Sequence, residues 1–363
     1  MATVFDYIQW RGDLSFAAAP LNEVDNLILS TLSYLDFSGL LPEEGLPLSQ
    51  VSQRYFQRHP YQKEPLGLLL PSQFQDLLLQ AGASARFAPV RAWAHVNQID
   101  EAREMQFSAT AFSLGEGTTY VAFRGTDDTL VGWKEDFNMT VSFPVPAQAA
   151  AAAYLDGLAL GTGDRLVLGG HSKGGNLAVY AASFCAPDLQ NRIQTIWCND
   201  SPGFSAELFQ VPSYRRIRDR IRALVPRSSV VGLLLDNDWE LVPVESSAIG
   251  LLQHNGLTWQ VMGPRFLRAE AISRGSLQAD KTLHALLREL DGEQRQQLIN
   301  GLFSSWQQSG AKTLSDLLTE GRKGQTLRAI YDTLSHFDKN MRDSFLRALP
   351  AAFRDESSSK ETP

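Results

Sequence analysis

Residues 170–174 read Gly-His-Ser-Lys-Gly, a serine with glycine two positions away on either side. The stretch "DRLVLGG" before it is a short apolar run, and "GNLAVYAASF" after it has helical spacing. A serine on a sharp strand-to-helix turn can serve as a nucleophile in acyl transfer, because the turn projects its hydroxyl above the sheet. The turn strains the serine backbone, and small neighbours are required where strand and helix come close. The helix N-terminus favours negative charge beside Ser172, and the backbone N–H of Lys173 is placed to donate to an oxyanion. The bland alternative is a glycine loop joining strand to helix and holding phosphate, but neither the P-loop consensus nor the dinucleotide-binding spacing is present.

A second oxyanion donor should come from the end of an earlier strand, and "YVAFRGTDDTLVGWKEDF" supplies Gly125 and Thr126 at such an end. An ordinary strand-to-loop exit would read the same. Taken together, "FRGT" followed by Trp133 and Asp136, and then "GHSKGG", resemble the class 3, fungal-type lipases. A lipase-like bacterial family of unknown function is more similar still, across "YIQWRGDLSF", "QFSATAF", "VAFRGTDDTLVGWKEDF", "GGHSKGGNLAVYAA", "NDSPGF", "VPRSSVVGLLL" and "QHNGLTWQV". The resemblance covers residues 4–265 and leaves the C-terminal helices unexplained. It implies an α/β-hydrolase fold. It also implies that Thr126 donates to the oxyanion through its N–H and its hydroxyl, with Asp136 supporting that loop from behind. In such lipases the segment after this motif carries a lid, which here is residues 127–145 with Trp133 and Phe137.

In α/β-hydrolases the chain order is nucleophile, acid, histidine. Three histidines follow Ser172. His284 in "KTLHALLREL" and His336 in "TLSHFDKN" fall in regular helical patterns. His254 in "LLQHNGLTWQV" precedes an Asn-Gly turn, and loops over a rigid sheet commonly carry catalysis. His254 is therefore the candidate base, and His171, beside the serine, is read as a packing residue. The acid is harder to place. Its usual position follows the strand "RALVP", but "RSSVVG" there contains no carboxylate. Asp236 is the first choice and Asp238 the second, with Asp200 in "NDSPG" also open. The expected activity is a serine hydrolase cleaving carboxylic, lipid-like esters through an acyl-enzyme, with no cofactor and no metal. A ligand- or partner-binding protein on the same fold, and an acyltransferase using the same serine, are the alternatives.

The elements that must position these groups follow from periodicity. Apolar residues Val24, Leu27, Ile28, Leu32 and Leu35 have helical spacing, whereas residues 41–64 are polar and read as a loop. "PLGLLLPSQFQDLLLQAGAS" predicts short helices. Period-two patterns in "VRAWAHVNQID", "MQFSATAFSL" and "TTYVAFRG" predict three strands, at least partly antiparallel. From residue 145 onward, strand–helix alternation predicts a mostly parallel sheet with helices on both faces. The expected organisation is an α/β-hydrolase domain over residues 1–265, a helical extension over 266–353, and a disordered polar tail at 354–363.

The 363 residues, 44% hydrophobic and 20% charged, form an ordinary globular composition. A net charge of -7 disfavours nucleic acid as a partner; the expected partner is a small-molecule or lipid-like ester. No apolar run reaches the length of a membrane span, and the N-terminal stretch lacks a signal-peptide core, so the expectation is a soluble, cytoplasmic protein. The two cysteines, Cys185 and Cys198, are read as reduced core thiols and not as a disulfide framework.

Overall fold

The computed structural model describes residues 1–61, 71–308 and 310–317. Five helices are built before and within the first sheet half: α1 (Val4–Arg11), α2 (Glu23–Leu32), α3 (Leu48–Arg58), α4 (Gln73–Ala83) and α5 (Leu130–Asn138). Between them run β1 (Leu46–Pro47), β2 (Arg91–Asp100), β3 (Met105–Gly115) and β4 (Thr118–Phe123). The second half alternates: α6 (Pro146–Asp156), β5 (Arg165–His171), α7 (Lys173–Phe184), α8 (Pro187–Arg192), β6 (Ile193–Asn199), α9 (Ala206–Gln210), α10 (Pro212–Ile217), β7 (Ile221–Pro226) and β8 (Leu241–Val244). Two longer helices, α11 (Arg274–Glu289) and α12 (Gly292–Gln308), follow.

The eight strands form one mixed sheet in chain order, β1 to β8. Pairs from β1 to β4 are antiparallel, and pairs from β4 to β8 are parallel. A strictly sequential parallel order with right-handed crossovers puts every crossover helix on one face. Accordingly α6, α7 and α10 pack together there, over a core that includes Val121, Phe123, Leu168, Ile196 and Tyr214. The N-terminal helices and the Trp259 region cover the opposite face, burying Tyr120, Ala122, Val167 and Leu224. Both faces are thus covered, as expected, but from different parts of the chain.

Several elements escape the sequence pattern, among them β1, α3 and β8. Residues 48–58 form helix α3 and not a loop: Leu48, Val51, Ser52 and Tyr55 make a narrow buried stripe on an otherwise polar helix. Strand β8 is four residues long and contains Pro243, which only an edge strand tolerates. Helix α2, by contrast, is legible at its start. The Asn22 side chain accepts hydrogen bonds from the Val24 and Asp25 N–H groups, and the Asp25 carboxylate accepts one from the Asn22 N–H. All ten of its residues are buried. Asn26 donates to the side chain of Asn199 at 2.9 Å, pinning this helix against the C-terminal end of β6.

His336 and the tail at 354–363 lie outside the described residues, as do residues 318–353 of the expected helical extension. Among the described residues, no helix is long and apolar enough to cross a membrane.

Candidate active site

Ser172 sits between the last residue of β5 and the first of α7, with φ 57° and ψ -135°. A non-glycine residue holds such a backbone only where its surroundings enforce it. Here the enforcement is visible. The Ser172 N–H donates to the Asn199 carbonyl at 3.0 Å, and the Gly175 N–H donates to the Ser172 carbonyl at 3.1 Å. A Cβ on Gly174 would stand 2.0 Å from the Phe123 carbonyl oxygen, and one on Gly170 would stand 2.2 Å from the Gly174 backbone. Neither position admits a side chain, which is why glycines flank the serine.

His254 ends a 3-10 turn over Gly250–His254 and is 6% exposed. Its Nδ1 is 2.6 Å from Oδ2 of Asp200, which is 1% exposed. A carboxylate can only accept, so Nδ1 carries the proton and Nε2 keeps its lone pair. Asp200 Oδ1 accepts further hydrogen bonds from the Ser229 hydroxyl at 2.5 Å and the Gly232 N–H at 3.0 Å. The loop after β7, where an acid was expected, therefore supplies donors to a carboxylate one strand earlier. Strands β6 and β7 are parallel neighbours, so their C-terminal ends reach the same place. Asp200 is the third of the acids considered from sequence. The first, Asp236, is joined to Phe204 through its backbone. The second, Asp238, is held by the Tyr214 hydroxyl and by Arg218 at 3.2 Å. Neither reaches His254.

His171 does more than pack. Its Nε2 faces the His254 carbonyl at 2.7 Å, and its Nδ1 faces the Tyr34 hydroxyl at 2.9 Å. A carbonyl only accepts, so His171 Nε2 donates and Tyr34 donates to Nδ1. Burial, reinforced by the adjacent His254, pushes the His171 imidazole down to about 3, which keeps it neutral in this role. The two rings lie 4.5 Å apart between centroids. His284, set aside from sequence as a helix residue, does lie in α11 and pairs with Asp280 at 3.1 Å.

Thr126 stands just beyond β4. Its hydroxyl donates to Asp136 Oδ2 at 2.5 Å, so the hydroxyl proton is committed to Asp136. The backbone N–H groups of Thr126 and Lys173 have no protein acceptor among the described residues. Burial pushes the Asp136 carboxyl up to about 6 although Lys173 and the Thr126 hydroxyl pull it back.

Ser172, His171, His254, Thr126, Lys173 and Asp136 all line one cavity of about 400 Å³. No direct hydrogen bond joins Ser172 to His254; such bonds commonly shorten only around bound substrate. The remaining walls are mainly apolar. Trp133 and Phe137 of α5 form one side, and Leu287 of α11 with Leu298, Ile299 and Leu302 of α12 form the roof. The segment 127–145, expected as a lid, forms one wall of the cavity, where Glu135 in its helix accepts from the Gln106 N–H at 2.9 Å and the Ala147 N–H at 2.7 Å. Among the described residues, no group of three His, Cys, Asp or Glu side chains is placed to hold a metal ion. Cys185 and Cys198 are buried and unbridged, and burial pushes both thiols up to about 12.

The Mbeg1-like family model matches residues 81–304, more than half of the chain. The chain belongs to the Mbeg1-like family. In this Mbeg1-like chain the match takes in Thr126, Ser172, Asp200 and His254, and it extends past residue 265 into α12. Two solved structures are similar over part of their length. One is the native Rhizomucor miehei lipase propeptide complex, 14% identical with a TM-score of 0.34, covering 43% of this chain and 57% of that one. The other is M37 lipase, 13% identical with a TM-score of 0.31, covering 44% of this chain and 60% of that one. The Mbeg1-like chain thus spans less than two thirds of either lipase. No curated protein matches it.

Proposed function

We propose that this protein is a serine hydrolase of the α/β-hydrolase type that cleaves carboxylic esters with apolar acyl groups. One observation carries the reading. Ser172, held at positive φ on a strand-to-helix turn, shares a cavity with His254, whose other ring nitrogen is hydrogen-bonded to buried Asp200. Ser172 Oγ attacks the ester carbonyl while His254 Nε2 takes the hydroxyl proton. The carbonyl π electrons move to oxygen, and the N–H groups of Thr126 and Lys173 face the resulting oxyanion. Collapse breaks the bond to the alkoxy group, which leaves as the alcohol with the proton from His254. Water, deprotonated by the same nitrogen, then releases the acid and regenerates Ser172. Asp200 orients the ring and stabilises its charged form. The apolar cavity walls support an aliphatic acyl group as substrate.

The test is labelling by a fluorophosphonate probe, together with hydrolysis of nitrophenyl esters of increasing chain length. Native protein should label and turn over, and Ser172→Ala and His254→Ala should do neither. A folded native protein that takes no probe and hydrolyses no ester of the series overturns the reading in favour of ligand binding without catalysis.

A further inference from the structure

Lys173 follows the serine directly and turns its side chain inward. Its side chain is 1% exposed, and its ammonium donates to the Gln106 carbonyl at 3.1 Å, Gln106 Oε1 at 3.0 Å and Glu135 Oε2 at 3.1 Å. These three acceptors saturate its three donors. Glu135 is fully buried. A buried ion pair is commonly no more stabilising than apolar residues of the same volume, so stability does not explain it. Burial alone would lower the Lys173 ammonium, but Glu135 and Asp136 outweigh it and hold it above its ordinary value.

The connectivity supplies a better account. The Lys173 ammonium lies 3.6 Å from Asp136 Oδ1, a buried oxygen with no hydrogen-bond partner among the described residues. The other oxygen of Asp136 holds the Thr126 hydroxyl. A continuous chain, whose middle link is this ion pair and not a hydrogen bond, therefore runs from the backbone of residue 173, through its own side chain and Asp136, to the backbone of residue 126. Its two ends are the two N–H groups that face the oxyanion. Charge enters as well. With Asp136 ionised, Lys173, Glu135 and Asp136 together carry one negative charge; without the ammonium they would carry two, behind the place where an oxyanion forms. Other charged groups around the chain are Asp127, paired with Arg124 at 3.1 Å, and Asp280, Arg295 and the two histidines on the cavity wall.

We propose that the Lys173 side chain is a positioning residue for the oxyanion site, fixing the Thr126 and Lys173 N–H donors relative to each other through Asp136 and offsetting the buried carboxylates behind them. This rests on the hydrolase reading above. The single variant Lys173→Met leaves Glu135 buried without its cation and can fail to fold, so Lys173→Met/Glu135→Gln and the near-isosteric Asp136→Asn are measured beside it. For each, kcat and KM are determined on a nitrophenyl ester, and Ki on an alkylboronic acid, whose tetrahedral adduct with the serine mimics the oxyanion.

The expected result is a fall in kcat of about ten- to a hundredfold with KM little changed, because misplaced donors act on the transition state. The boronate Ki should rise in step with the loss in kcat/KM. Lys173→Met added to Asp136→Asn should cost less than the product of the two alone, since both break one chain. Folded Asp136→Asn with native kcat and native boronate Ki overturns the proposal by itself. So does a Lys173 variant that loses only thermal stability. Serine-dependent turnover by the native protein, lost in Ser172→Ala, separates these outcomes from failure of the hydrolase reading.

Discussion

At the residue scale the decisive contact is between Asp200 and His254. Asp200→Asn should lower kcat by about ten-thousandfold while leaving the fold intact, because an amide favours the wrong histidine tautomer. Asp236→Asn and Asp238→Asn should retain near-native kcat; turnover of all three on one ester separates the candidates. His171 carries a pH prediction. Its folded pKa, about 3, lies below its ordinary value of 6.5. The unfolded chain therefore binds the extra proton first, and this contribution to stability, fully present above 6.5, is lost as pH falls toward 3. The slope approaches about 1.4 kcal/mol per pH unit. In His171→Gln the slope is gone, so the native advantage over the variant in urea unfolding should shrink from pH 7 to pH 4. An advantage constant across that range would contradict a neutral, buried His171. Ser172 and His254 stand out along the chain as candidates because a turn motif and a loop context mark them. Asp200 was only one of three candidates because nothing along the chain says which strand end faces the histidine.

At the scale of elements, the elbow stands on close approach. A Cβ at residue 174 meets the carbonyl at the end of β4, and backbone there cannot give way as a side-chain tip can. Gly174→Ala should cost about 3 kcal/mol or more, seen as a lower urea midpoint, with probe labelling reduced in whatever remains folded. Retention of the native midpoint would mean that β4 and α7 are farther apart than described. Strands β2 to β7 and helix α7 were legible from period and from glycine placement. Helix α3 and strand β8 were not. The first buries a stripe only two side chains wide, and the second is short, with a proline that an edge position excuses.

At the scale of the whole molecule, the cavity belongs to no single element. Sheet loops provide the polar floor, α5 one wall, and α11 and α12 the apolar roof. Helix α12 is tied to α5 by a small apolar cluster in which Leu130, Leu302 and Phe303 are buried, and Phe137 and Phe303 meet edge to face at 5.7 Å. If this roof holds the acyl chain, kcat/KM should rise with chain length until the space is filled. The ceiling is about 0.8 kcal/mol, roughly fourfold, for each added methylene. Leu298→Asp places a carboxylate on that roof and should depress turnover of an octanoyl ester far more than of an acetyl ester. Equal losses on both would remove the roof from substrate binding.

The sequence alone determined what is local in the chain. The strand, the tight turn and the helix around Ser172 are contiguous, and their glycines, spacing and caps act over a few residues. It also determined the alternation that makes a covered, largely parallel sheet. The tertiary structure decided everything that depends on segments meeting across distance. It brought Asp200 to His254 over a separation of 54 residues, turned Lys173 inward onto Glu135, and set α11 and α12 over the serine. The reason is physical. A turn is specified by backbone sterics within its own residues, whereas a carboxylate's partner or a cavity's roof is chosen by which surfaces become buried together.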